Sequence, residues 1–158
     1  MFKKSLNVIS KFIPELLFLL SLVMPAIGYN HYGKVENLNG LIMLLMSPLG
    51  IFALNFAGLA NITLFIARLF VSTRPLISLI LSFVSVLLAM SLLLYDQMPM
   101  GSEGSFKFFV LTGYYVWLGS MLAAVIHANR ACENKKKFNK LLGEKFAKPT
   151  LKSSFPPR

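Results

Sequence analysis

Four long runs of apolar residues, separated by short polar segments, dominate the chain. These runs cover residues 12–28, 41–70, 76–95 and 106–128. A helix rises about 1.5 Å per residue, so about 20 apolar residues cross a hydrocarbon layer of about 30 Å. Each run is therefore long enough, or nearly long enough, to form a membrane-spanning helix.

The second apolar run is too long for a single upright span. Pro48 and Gly50 lie within it, and proline removes a helical hydrogen bond and restricts the preceding residue. We therefore expect a break near Pro48, with residues 41–46 on the membrane surface or half inserted. The expected spans are residues 12–28, 49–70, 76–95 and 106–128.

Composition favours the same fold. Of the 158 residues, 56% are hydrophobic and 14% are charged, whereas soluble domains carry about 25% charged residues. A soluble core of this size could not bury so much apolar surface. The predicted fold is all-α, an integral membrane four-helix bundle formed by residues 1–128, followed by a basic tail at residues 129–158.

The distribution of Lys and Arg predicts the orientation. If the amino terminus is cytoplasmic, 14 of the 16 basic residues lie on that side, and the outer loops hold only Lys34 and Lys107. Positive residues favour the cytoplasmic side. We expect both termini in the cytoplasm of a bacterium, with the bundle in its inner membrane. Ala26 and Gly28 also suit a cleaved signal peptide, which Glu15 and the long basic start disfavour.

Few residues suggest metal or cofactor chemistry. Cys132 is the only cysteine, which excludes an intramolecular disulfide and any multi-cysteine metal site. The two histidines, His31 and His127, are predicted at opposite membrane faces and could not ligate one haem. We expect no cofactor. We also expect no nucleic-acid partner, since no aromatic stacking platform accompanies the basic charge.

Polar residues within the apolar runs form the candidate intramembrane site. Buried amides and hydroxyls need partners in hydrocarbon. Serines at steps of three and four predict a small-residue packing stripe on the third run, and the alternative is a polar lining. The candidate residues are Asn55, Asn61, Ser82, Ser85 and Thr112, with Ser78 on the same stripe.

Two further groups of charged residues have candidate roles. Glu15 and Arg68 are each predicted about one turn from the cytoplasmic end of a span, so they could form an interfacial ion pair. In the tail, Phe138, Leu141, Leu142 and Phe146 recur at helical spacing, which predicts a helix over residues 129–147 with a bend near Gly143. The surrounding lysines suit contact with anionic lipid. They are Lys135, Lys136, Lys137, Lys140 and Lys145. A solvated topology signal and a partner-docking segment are the alternatives.

Residues 113–121, Gly-Tyr-Tyr-Val-Trp-Leu-Gly-Ser-Met, resemble a G-Y-x-x-W-L-x-S-M stretch of small, uncharacterised bacterial inner-membrane proteins. Ala60-Asn61 is similar to an Ala-Asn pair in their second hydrophobic segment, although no proline follows Asn61 here. The resemblance implies a four-helix inner-membrane protein and transfers no catalytic residue.

The favoured function is non-enzymatic, an accessory or partner-binding subunit that acts through its helix faces. Its partners would be membrane lipids and a membrane protein or further copies of the chain. The alternative is a small oligomeric transporter or channel. An intramembrane enzyme acting on lipid is a third hypothesis, which the scattered outer carboxylates Glu36, Asp96 and Glu103 support poorly.

Overall fold

A computed structural model describes residues 2–31, 34–52, 56–95, 97–99 and 105–146. The described chain contains five α-helices and four β-strands. The helices are α1 (Phe2–Val23), α2 (Gly40–Phe52), α3 (Leu59–Phe70), α4 (Pro75–Met90) and α5 (Thr112–Phe146). The strands are β1 (Pro25–His31), β2 (Lys34–Asn39), β3 (Gln97–Pro99) and β4 (Ser105–Val110). Short 3-10 turns at Phe56–Gly58 and Ser91–Leu94 precede α3 and extend α4.

α5 is central among the helices, because α1 and α4 both pack against it. α3 packs mainly against α4. Pro75 occupies the first turn of α4, where its missing N–H would have no helical partner. α3 and α4 are joined by a tight turn at residues 71–74 and are therefore antiparallel. One end of the helices carries this turn, and the other carries the sheet.

The strands form one antiparallel sheet in the order β2-β1-β4-β3. β1 and β2 make a hairpin, and β1 also pairs with β4, which precedes α5 directly. Backbone hydrogen bonds fix the sheet to the helices: Gly40 N–H donates to the Met24 carbonyl, and Leu111 N–H to the Ala26 carbonyl. Ile27 and Tyr114 are buried together at this junction.

The predicted four-helix membrane bundle is wrong, because the structure combines five helices with a sheet. Among the described residues, only Pro75–Leu94 forms a helical stretch long and apolar enough to cross a membrane. The apolar helical segments Phe12–Val23 and Leu59–Phe70 are shorter. Twelve residues rise only about 18 Å, less than the hydrocarbon thickness.

The sheet is the main reason for this difference. The predicted first span was to end at residue 28, but its last residues belong to β1. The predicted fourth span was to begin at residue 106, but residues 105–110 form β4 and α5 begins at Thr112. Residues that were predicted to be helical therefore form strands, so the adjacent helices are shorter than predicted and the fold is not all-α.

The predicted break near Pro48 is also misplaced. α2 runs from Gly40 to Phe52 and contains both Pro48 and the segment 41–46. α3 starts only at Leu59. The long second run is therefore divided between Phe52 and Leu59, because losing one hydrogen bond at Pro48 does not end the helix. α5, by contrast, is continuous from Thr112 to Phe146, so the basic segment is helical as far as Phe146.

Small residues form much of the helix interfaces, together with a few larger ones. Ala60, Ala89 and Met121 are fully buried where α3, α4 and α5 meet, and Ala124 is 1% exposed. Large apolar side chains face outward on every one of these helices. The exposed ones include Phe65 and Leu69 on α3, Phe83 and Leu87 on α4, and Leu122 and Ile126 on α5.

Candidate functional site

A charged cluster links three helices near the end opposite the sheet. The Arg68 guanidinium on α3 forms an ion pair with the Glu15 carboxylate on α1. Its Nη1 also donates to Nδ1 of His127 on α5, at 2.9 Å. The structure therefore brings Glu15 and Arg68 together, as a pair of residues separated by 53 positions, and adds an imidazole that the sequence reasoning had not placed there.

The direction of this hydrogen bond defines the state of His127. An arginine side chain has only donors, so Nδ1 of His127 must accept and cannot carry a proton. The ring is then neutral, with its proton on Nε2. One arginine thus binds a carboxylate and an imidazole at the same time. In this arrangement Arg68 joins α1, α3 and α5 into one electrostatic unit.

The Glu15 carboxylate is only half satisfied. Oε1 binds Arg68, whereas Oε2 is buried and has no hydrogen-bond partner among the described residues. An unsatisfied buried oxygen costs about 1–3 kcal/mol. Pro14 directly precedes Glu15 inside α1, so the backbone there already lacks one helical donor.

A second polar contact lies further toward the sheet. Nε1 of Trp117 on α5 donates to Oδ1 of Asn61 on α3, at 2.8 Å. Asn61 therefore finds a partner for its carbonyl oxygen on α5. Tyr114, one turn earlier on α5, donates from its hydroxyl to the Ala89 carbonyl at 3.0 Å. Both contacts use amphipathic rings whose apolar bodies pack between helices.

The serines of α4 lie at helix interfaces. Ser78, Ser82 and Ser85 are each no more than 1% exposed. Ser85 Oγ donates to the Ser82 carbonyl on its own helix at 2.8 Å, and Ser120 bonds the Trp117 carbonyl in the same way. Ser82 Oγ has no partner among the described residues. Hydroxyls that bond the preceding turn are satisfied without a second helix and allow close packing.

The other predicted polar residues do not join this group. Thr112 is exposed at the start of α5, next to the sheet. Asn55 lies outside the described residues. Thr112 is therefore apart from the buried serines of α4.

The basic part of α5 is exposed. Lys135, Lys136, Lys137 and Lys140 are all solvent-exposed. Lys135 Nζ donates to the Thr73 carbonyl in the turn between α3 and α4, at 2.9 Å. This contact joins the start of the basic segment to the end of the helical body. Lys145 belongs to the same helix, and its side chain lies outside the described part.

An open groove of about 440 Å³ lies where α4 meets β4. Leu92, Leu93, Phe108 and Val110 form much of its wall, with Lys107 at its edge. Over the residues that the structure describes, no three His, Cys, Asp or Glu side chains cluster as metal ligands.

Comparison with known proteins adds no assignment to this geometry. No protein-family model, curated protein or solved structure matches the chain.

Proposed function

We propose that this chain is a non-enzymatic integral membrane protein that acts as an accessory, partner-binding subunit. The observation that carries the proposal is the number of large apolar residues that lie outside, while alanines and serines form much of the interior. Ala60 and Ala89 are 0% exposed, while Phe65 is 66% and Phe83 is 56% exposed. In water this distribution would leave much apolar area unburied. A lipid bilayer, or the surface of another membrane protein, is the environment that suits it.

The polar contacts support the same proposal. Trp117 and Asn61 satisfy each other, Arg68 joins Glu15 and His127, and Ser85 bonds its own helix. Groups that are engaged in this way stabilise the helical body. They leave its outer apolar surface as the part that can recognise another protein.

The charge distribution supports one orientation for this protein. The turn between α3 and α4 and the second half of α5 lie at one end, with Arg74, Arg130 and the exposed lysines. Among the residues that the structure describes, the sheet end carries only Lys34 and Lys107 as basic residues. Under the positive-inside rule, the end that holds the second half of α5 faces the cytoplasm of a bacterial inner membrane, and the sheet end faces outward.

Site-specific photocrosslinking in native membranes tests the partner-binding function. A photoreactive amino acid would replace one outward residue at a time, at Phe65, Phe83, Tyr115 or Ile126. The proposal expects adducts with one protein from one helix face. Positions on the opposite face should yield only lipid adducts, and they serve as the matched control. Lipid adducts at all four positions would contradict a partner-binding subunit.

A transporter or channel is less well supported. Its proposed lining includes Thr112, which is exposed at the start of α5, and Asn55, which lies outside the described residues. Proteoliposome flux that Asn61→Leu abolishes, in a variant that folds as the parent does, would reverse this preference.

A further inference from the structure

The second half of α5 carries an apolar stripe that no other described element covers. Phe138 and Leu141 are each 60% exposed, and Leu142 is 37% exposed. Their spacing of three and four residues places them on one side of the helix. Exposed apolar side chains in such a stripe indicate a contact surface.

Lysines surround this stripe in a specific arrangement. At about 100° per residue, Lys135 and Lys137 lie on either side of it, and Lys136 and Lys140 lie on the opposite face. Between residues 133 and 142 there are four lysines and one acid, Glu133, a net charge of 4 − 1 = +3. Lysines can lie along an apolar surface while their ammonium groups reach a polar layer.

Helix length sets the depth of these lysines if the helical body lies in lipid. α5 has 35 residues and is therefore about 52 Å long, some 20 Å more than the hydrocarbon thickness. With Thr112 at the outer boundary, the hydrocarbon ends near Cys132, and Lys135, Lys136, Lys137 and Lys140 lie beyond it, on the headgroup and water side.

The contact between Lys135 Nζ and the Thr73 carbonyl keeps this segment close to the helical body. Arg74, the residue after Thr73, is exposed there and adds a positive charge from another part of the chain. We propose that residues 135–142 of α5 bind the headgroups of anionic membrane lipids, with Lys136, Lys137 and Lys140 as the cationic contacts. This inference rests on the proposed membrane embedding and names a ligand class for the cytoplasmic end.

Amide hydrogen exchange of the full chain in nanodiscs tests this site. Nanodiscs of phosphatidylcholine alone would be compared with nanodiscs that also contain phosphatidylglycerol. Each basic residue near an anionic surface contributes about 1 kcal/mol, so amides of residues 135–142 should exchange at least about tenfold more slowly with phosphatidylglycerol. Raised salt should remove the difference, because screening shortens to about 3 Å at 1 M.

Variants assign the effect to the lysines. Lys136→Gln/Lys137→Gln/Lys140→Gln should lose the slowing while keeping the parent's thermal stability, since Lys135 still binds Thr73. Lys34→Gln/Lys107→Gln, at the sheet end, is the matched control and should retain it. Equal exchange in both lipid compositions, or slowing that persists in the triple variant, would overturn the proposal. Slowing of exchange that occurs only when another protein is added would also overturn the proposal. Alkaline carbonate extraction reports membrane embedding separately, so a failure of that premise is distinguishable.

Discussion

The two halves of α5 have the same backbone and opposite surroundings. From Thr112 to Ala128, the buried residues include the small Ala124 and the large Met121, and other large residues face outward, with Ile126 55% exposed. Beyond Asn129 the side chains through Leu142 are mostly exposed, and lysines are frequent. One continuous helix therefore passes from a region that packs by small residues to a region that carries charge.

Under the proposed membrane location, this change marks the point where lipid gives way to water. A helix of a soluble core would bury most of its large apolar residues. Here Tyr114 and Met121 are buried, but Tyr115, Leu122 and Ile126 are 57%, 48% and 55% exposed. Helices in lipid gain little from burying large apolar groups, so close contact through small residues holds them together. The following predictions test this comparison by changing residues on each side of it.

The largest effect is expected at Arg68, which joins α5 to α1 and α3. Arg68→Met leaves the Glu15 carboxylate and the His127 ring without their donor. Hydrogen bonds to charged groups contribute about 1.5–3 kcal/mol, and the Glu15 side chain is 43% exposed, so we expect a total loss of about 2–3 kcal/mol. Thermal denaturation in mild detergent measures it. Arg74→Gln, an exposed arginine in the adjacent turn, is the control and should change stability little. A double-mutant cycle with Glu15→Gln that shows no coupling would contradict the ion pair.

The next effect concerns the packing of small residues between the helices. Ala89→Leu adds bulk where Ala89 is 0% exposed, and overpacking costs about 1–3 kcal/mol. Leu87→Ala removes a large side chain that is 53% exposed, which should change stability by less than about 0.5 kcal/mol. Denaturation of both variants under the same conditions gives the comparison. If Leu87→Ala were the more damaging change, the packing would be that of an ordinary apolar core.

A smaller loss is expected at the contact between Trp117 and Asn61. Trp117→Phe leaves Oδ1 of Asn61 without a donor, at a cost of about 1–2 kcal/mol. Adding Asn61→Leu removes the orphaned amide and should recover part of the loss. Tyr115→Phe, at a neighbouring exposed ring, is the control. No recovery in the double variant would assign the loss to ring packing alone.

The smallest expected effect is a gain in stability when Gly119 is replaced. A methyl group at Gly119 would meet no atom within 4 Å, so Gly119→Ala should stabilise α5 by about 0.5–1 kcal/mol through helix propensity. At Gly113 a methyl group would lie 2.7 Å from the Pro25 carbonyl oxygen. Gly113→Ala should therefore destabilise the junction between α5 and the sheet. The same direction of change at both glycines would contradict this difference in packing.

Local patterns predicted some features of this structure. The spacing of Ser78, Ser82 and Ser85 indicated one packing face, and all three are buried. The helical spacing of Phe138, Leu141 and Leu142 indicated helix beyond residue 129, and α5 continues there. The pair of Glu15 and Arg68 was predicted because each residue lies about one turn from the same end of a predicted helix. This comparison did not require knowing how the helices are rotated about their axes.

The sheet could not be predicted in this way. β2, Lys-Val-Glu-Asn-Leu-Asn, is polar and largely exposed, so it lacks the alternation that indicates a strand. β1 begins within an apolar run and pairs with β4, about 80 residues later in the chain, which no local window contains. The Trp117–Asn61 and Arg68–His127 contacts were missed for a similar reason, since they depend on the rotation of α5 against α3.

Site-directed spin labelling of the two halves of α5 tests the central claim most directly. With Cys132→Ser as the background, one label would replace Ile126 and another Glu133, in the full chain reconstituted into bilayers. Oxygen concentrates in hydrocarbon, and a nickel chelate remains in water. The account predicts that the label at Ile126 is relaxed by oxygen more than by nickel, and that the order reverses at Glu133. Nickel relaxation at Ile126 as strong as at Glu133 would mean that water surrounds both halves, which would contradict a lipid-facing exterior.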